Sequence, residues 1–142
     1  MIRRNFNPHS CDLDENGPES IHRAVALVQL FCTTNMLPPQ QRAKLAILAE
    51  EAVTNLYDHG EVRPGFSGTL TLRGSSDAVT ICLCDSGQPF DPRMESDSDS
   101  EAEMPNAERG GGAGLALIRA WADIIDYRSE DGVNRLEMKL RD

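Results

Sequence analysis

Three side chains set four residues apart, Glu51, Asn55 and His59 in the stretch EEAVTNLYDHG, are the first group in the sequence with chemistry to offer. On a helix each step of four turns about 40° beyond a full circle, so a carboxylate, a carboxamide and an imidazole share one narrow ridge. All three supply lone pairs. A carboxamide oxygen beside a carboxylate suits a hard cation such as Mg2+, which keeps several waters and takes phosphate oxygens as further ligands. Zinc would more naturally be held by two histidines four apart, as in His-Glu-x-x-His, and that pattern is absent. On spacing alone, a solvated helix face accounts for the ridge equally well.

A second group lies in CDSGQPFDP. A strand that ends in Asp85 and runs at once into Ser86 and Gly87 presents a carboxylate at the end of a sheet, beside backbone with no side chain in the way. Such an acceptor can take a hydrogen bond from an exocyclic amine such as that of adenine, while the glycine lets a flat ring approach. An ordinary Asx-type turn is the simpler reading of these residues taken alone. The third group is RGGGAGL, where Arg109 precedes Gly110, Gly111, Gly112 and Gly114 and an amphipathic helix follows from about Leu115. Unhindered amide donors at the positive end of a helix dipole meet the needs of phosphates. No lysine follows the glycines, as a Walker A loop requires, and no strand precedes them, as a dinucleotide fingerprint requires. Together the three groups supply a base acceptor, a metal ligand and a phosphate cradle.

The elements that must hold these groups follow from periodicity and turn residues. Apolar residues Ile21, Val25, Val28 and Cys32, flanked by Ala24 and Phe31, predict a helix from Pro18 to about Asn35. A second helix from about Pro39 to His59 turns Leu45, Leu48, Ala52, Val53 and Leu56 inward and is expected to stop at Gly60 as a left-handed cap. TLTLR and AVTICLCD read as a hairpin joined by GSSD, and DYRSEDGVNRLEMKL as two strands about an Asp-Gly turn, with Leu136, Met138 and Leu140 inward. GGAGLALIRAWADII reads as a helix carrying Leu115, Ile118, Ala122 and Ile125 on one face. RRNFNP is either a short edge strand or an arm. Residues 91–109 are too acidic and too poor in apolar side chains to bury anything, and read as a mobile loop or lid. The pattern predicts an α+β, two-layer sandwich: about three helices on one face of a mixed, mainly antiparallel sheet of four or five strands.

With 142 residues, residues 1–142 form one domain with one core. A net charge of −9 argues against duplex nucleic acid or an anionic membrane as partner. No apolar run approaches the roughly 20 residues that span a bilayer, and MIRRNFNPHS has no signal-peptide core, so the expected location is the cytoplasm. Cys11, Cys32, Cys82 and Cys84 are read as free thiols, since their spacing matches no structural zinc site.

The order E-A-V-T-N-x-x-x-H-G, D-S-G-Q-P-F-D-P, G-x-G-L-A-L-I resembles the ATP-binding boxes of the gyrase, chaperone and histidine-kinase ATPase superfamily. The P-F-D-P continuation and the short length resemble the bacterial anti-sigma-factor serine/threonine kinases, over roughly residues 15 to 140. The resemblance implies a histidine-kinase-like ATPase fold with ATP and Mg2+ as cofactors. It implies Glu51 as catalytic base toward a substrate serine and Asn55 as magnesium ligand. Asp85 and Gly87 would hold adenine, and Arg109, Gly110, Gly112, Gly114 and Leu115 would meet the phosphates where a 91–109 lid ends. His59 would be structural. Many relatives carry Gly-Thr in the last hairpin, where this chain has Gly132-Val133-Asn134, so Asn134 replaces that contact or it is lost.

The function implied is a partner switch: an ATP-binding factor that sequesters a sigma factor or similar regulator and phosphorylates a serine on an antagonist protein. Pairing of relatives through the first helix and sheet edge implies a homodimer. The altered hairpin and the acids Asp91, Glu95, Asp97, Asp99, Glu101 and Glu103 keep two alternatives open, a catalytically inactive binding module and a stand-alone ATP hydrolase. The catalytic half of a two-component histidine kinase fits poorly, because His22 in ESIHRAV lacks a phospho-acceptor context.

Overall fold

The first helix starts where the sequence offers a cap. In the computed structural model, which describes residues 4–59, 61–91 and 117–141, α1 (Gly17–Thr34) opens at Asn16, whose Oδ1 accepts from the Glu19 amide at 3.1 Å. The Asn16 amide group donates to the Glu19 carboxylate at 3.2 Å, and Pro18 fills a first-turn position that needs no amide partner. The helix buries Ala24, Leu27, Val28, Phe31 and Cys32, whereas Ile21 and Val25, expected in the inward stripe, are half-buried. The stripe is therefore centred one position away from the spacing read in the sequence.

Helix α2 (Pro39–His59) has the expected bounds and buries the five expected residues, and with them Ala49 and Asn55. Gly60, expected as its cap, lies outside the described residues. Both helices cover one face of a five-stranded sheet formed by β1 (His9–Leu13), β2 (Gly68–Ser75), β3 (Ala78–Asp85), β4 (Ala122–Glu130) and β5 (Val133–Leu140). The strand order is β1-β2-β3-β5-β4, and every pairing is antiparallel. Leu70, Leu72, Ile81, Leu83, Leu136 and Met138 supply the sheet side of the core, against Phe31, Leu45, Leu48 and Val53 from the helices. Full burial of a side chain this size contributes about 1.5–3 kcal/mol.

The two hairpins form as their turn residues dictate. β2 and β3 pair from Gly68↔Asp85 to Ser75↔Ala78. β4 and β5 close on Asp131 and Gly132, with φ of 53° and 79°, the left-handed pair that a two-residue hairpin with the right strand twist demands. Asn5 makes one isolated bridge to Ser75 and Phe6 is buried, so residues 4–8 of that stretch are an arm lying on the sheet edge; the strand proper, β1, follows it. HSCDL alternates, with Cys11 and Leu13 toward the core, but two apolar residues in five are too short a signal to announce a strand.

One element corrects the sequence reading. The helix expected to run through Ile125 is helical at residues 117–121 and then becomes β4 at Ala122. Ile118 and Ala122 are both buried, as a helical stripe would have them, but Ala122 reaches the core from a strand paired to Leu140. Ile124 and Ile125 are β-branched and favour extended backbone, and the bulge between Ile124 and Asp126 leaves Ile125 half exposed. The cysteines are free, with Cys32 and Cys82 buried. Among the described residues no helix is long and apolar enough to cross a membrane.

Candidate functional site

Register brings the second group of the sequence into contact with the last hairpin. Asp85 ends β3 and pairs with Gly68 on one side and Asn134 on the other. A Cβ at Gly68 would stand 2.7 Å from the Cys84 carbonyl oxygen, so glycine is needed for the strands to close up there. Asp85 Oδ1 accepts from the Gly87 amide at 2.8 Å, which is an Asx turn, and from Asn134 Nδ2 at 2.9 Å. The turn and the acceptor coexist because a carboxylate has two oxygens, and both of these bonds fall on Oδ1. Asp85 is 8% exposed. Burial pushes its carboxyl above the ordinary aspartate range, and the bonds from Asn134 and Gly87 pull it part of the way back.

Across from Asp85, Asn55 lies on α2, 4% exposed. Neither its Oδ1 nor its Nδ2 has a hydrogen-bond partner among the described residues. A buried amide with nothing to bond costs about 1–3 kcal/mol per group, so a folded protein keeps one where a ligand completes it. The two residues line one cleft. Ala52, Leu56, Leu83 and Leu136 form its apolar walls, and Gln88, Phe90, Ile118 and Tyr127 complete it. An apolar slot with one carboxylate acceptor and one unsatisfied carboxamide fits a flat heteroaromatic ring bearing an amine, with a polar group beyond it.

The remaining ridge residues flank Asn55 along α2. Glu51 is half-buried, and burial first, then the neighbouring charges of Glu50 and Asp58, raise its carboxyl above the ordinary glutamate range. His59 is exposed and stacks on Phe90, with ring centroids 4.3 Å apart and planes 6° from parallel. Phe90 is further held by its backbone amide, which donates to the Tyr127 hydroxyl at 2.9 Å. Gly87 faces a neighbouring open groove, with Ser86, Gln88, Arg63 and Phe66, instead of the cleft. Arg109, Gly110, Gly112, Gly114, Leu115 and the 91–109 lid beyond Asp91 lie outside the described residues.

Sequence reading did not find Phe90 and Tyr127. Phe90 stands inside the PFDP stretch that was noticed, but nothing in its spacing points to a partner on α2. Tyr127 is one aromatic in an exposed, polar strand, and only the pairing of β4 with β5 at Tyr127↔Leu136 turns it to the cleft.

A five-stranded antiparallel sheet covered on one face by helices, with a cleft between α2 and the ends of β3 and β5, defines an ATP-binding domain of the histidine kinase type. Comparison with known proteins agrees: the family model described as histidine kinase-like ATPase domain matches residues 15–140, and the chain belongs to that family. Among curated proteins, the serine/threonine-protein kinase BtrW of Bordetella bronchiseptica is 30% identical over 99 residues, which is 68% of this chain and 68% of that protein. The resemblance drawn from the three boxes is thereby upheld, and kinase or ATPase chemistry is the activity such a domain carries.

Proposed function

We propose that this chain is an ATP-dependent anti-sigma regulatory factor: it sequesters a sigma factor or related regulator and phosphorylates a serine on an antagonist protein. The observation that carries the nucleotide half is the unsatisfied Asn55 amide set in one buried cleft with Asp85. The serine kinase half is supported by the likeness to a serine/threonine-protein kinase. The regulator and antagonist come from the resemblance of the boxes alone.

In this reading Asp85 would accept from the amine of adenine, and Ala52, Leu56, Leu83 and Leu136 would form the apolar walls around its ring. Asn55 would hold Mg2+ through its Oδ1, a hard oxygen donor without a partner among the described residues. The ion, when bound, supplies neutralisation of the phosphate charge. Glu51, one helical turn before Asn55, takes the proton of the substrate hydroxyl; its raised basicity suits that task better than an ordinary glutamate would. Arg109, Gly110, Gly112, Gly114 and Leu115 are assigned to the phosphates on sequence alone.

The test is incubation of the purified protein with γ-labelled ATP and its candidate antagonist. Label on an antagonist serine, lost in Glu51→Ala, is the expected result. ATP turnover with no protein acceptor would instead make the chain a hydrolase, and Mg-ATP binding with neither activity would make it an interaction module.

A further inference from the structure

A transverse ladder of side chains crosses three strands at the end of the cleft. Ser129 on β4, Asn134 on β5 and Asp85 on β3 are successive cross-strand partners. The Ser129 hydroxyl donates to Asn134 Oδ1 at 2.7 Å; Asn134 Nδ2 donates to Asp85 Oδ1 at 2.9 Å and to the Gly87 carbonyl at 2.8 Å. Asn134 is 3% exposed, so both protons of its amide group are spent inside the protein. A flipped amide would set its oxygen against a carboxylate and a carbonyl at once, so the Ser129 bond and these two contacts permit one orientation. With Oδ1 of Asp85 taken by Asn134 and by the Gly87 amide, the second carboxylate oxygen is the one left to meet a ligand.

We infer that Asn134, itself held by Ser129, is a positioning residue that sets the purine specificity of the cleft by aiming Asp85 and keeping it a pure acceptor. The inference rests on the reading that Asp85 faces the purine. An ionised, fixed carboxylate accepts from the 6-amino group of adenine but has no proton for a 6-keto group. A carboxyl released from Asn134 can rotate, and in this buried setting take up a proton, and then serves either purine. Among the described residues no charged side chain shifts the Asp85 carboxyl. The titratable groups that sense its charge are Tyr127 on β4 and Cys84 on its own strand, so the aim of Asp85 depends on the neutral ladder.

The experiment compares ATP and ITP, which differ at the 6-position, by calorimetric titration in the presence of Mg2+ at neutral pH. Wild type is expected to prefer ATP. Asn134→Ala should lose about 10-fold or more in ATP affinity, the scale of a hydrogen bond to a charged group, and bring the ATP-to-ITP ratio near one. Asn134→Thr, which restores one donor, should recover part of the ratio. Ser129→Ala, which keeps the amide but removes one of the three bonds that hold it, should lose less than Asn134→Ala. A merely structural role would weaken both nucleotides equally. If Asp85→Asn abolishes the preference but Asn134→Ala keeps the wild-type ratio, the inference fails and the Asp85 reading stands. If Asp85→Asn leaves the preference untouched, the Asp85 reading fails and the inference with it. Thermal melts of each variant confirm that the comparison is between folded proteins, and Ser129→Ala on the exposed side of the ladder tests the same prediction should Asn134→Ala not fold.

Discussion

Replacing Asn55 by leucine should make the ligand-free protein more stable while abolishing its response to magnesium and nucleotide. Asn55 is 4% exposed, and both polar atoms of its side chain lack partners among the described residues. Leucine is close to asparagine in branching at Cγ, faces the apolar walls Ala52, Leu56 and Leu83 of the same cleft, and leaves no polar atom stranded. An unsatisfied buried polar group costs about 1–3 kcal/mol, so two cost about 2–6. The lower end of that range already gives a gain of about 2 kcal/mol. Unfolding entropy of about 2.1 cal/mol/K per residue amounts to about 0.3 kcal/mol/K for 142 residues. The expected rise in Tm is therefore about 7 °C. The assay is a thermal melt of wild type and Asn55→Leu, each with no addition, with Mg2+, with ATP and with Mg-ATP. Wild type should gain stability most from Mg-ATP, since a ligand that binds only the folded state raises its melting temperature. The variant should start higher and show no Mg-dependent increment. A variant that melts lower than wild type without ligand would show that the amide is already satisfied in the ligand-free protein. A variant that keeps the full Mg-ATP increment would remove Asn55 from the metal site.

Further outcomes are expected at Glu51 and His59. Glu51→Gln should keep the Mg-ATP increment in a melt but lose phosphotransfer by about 10²–10⁴-fold, the range for removal of a general base; equal turnover in variant and wild type would refute its role. A base works only when ionised, so wild-type kcat/KM, which reports groups of the free enzyme, should fall as pH drops through a value above the ordinary glutamate range, because burial and then Glu50 and Asp58 raise that carboxyl. The sign for stability is opposite: a folded-state value above the unfolded one means ionisation opposes folding. Ligand-free Glu51→Gln should accordingly be the more stable protein at neutral pH, with the difference fading as pH falls below the unfolded value. His59→Ala should release the ring stacked on Phe90, costing about 0.5–1.5 kcal/mol beyond its area. With Phe90 freed at the cleft, stopped-flow association of a fluorescent ATP analogue should speed up, and an unchanged rate would mean that the stack does not restrain entry.

Helix α2 was legible to the residue because a proline pair, a long apolar stripe and a polar ridge all agree on it. The hairpin of β4 and β5 was legible at its turn, since Asp131-Gly132 admits a left-handed pair that few dipeptides adopt. Where β4 begins was not legible: Trp121-Ala122-Asp123-Ile124-Ile125 satisfies a helical period and a strand equally well, and pairing with β5 decided between them. β1 was invisible because an edge strand packed on one side needs few apolar residues; Leu13 is its one fully buried member.

For the site, the amino-acid order alone determined that Glu51, Asn55 and His59 share a helix edge and that Asp85 ends a strand before a glycine turn, since local period and turn chemistry fix those relations. It could not determine that Asn55 and Asp85 meet across one cleft, that His59 spends its ring on Phe90, or that Asn134 bonds Asp85. Those relations join residues dozens of positions apart. They exist only because antiparallel register sets β3 beside β5 and the shared core presses α2 onto both, so the distance between the amide and the carboxylate is a property of packing and not of spacing along the chain.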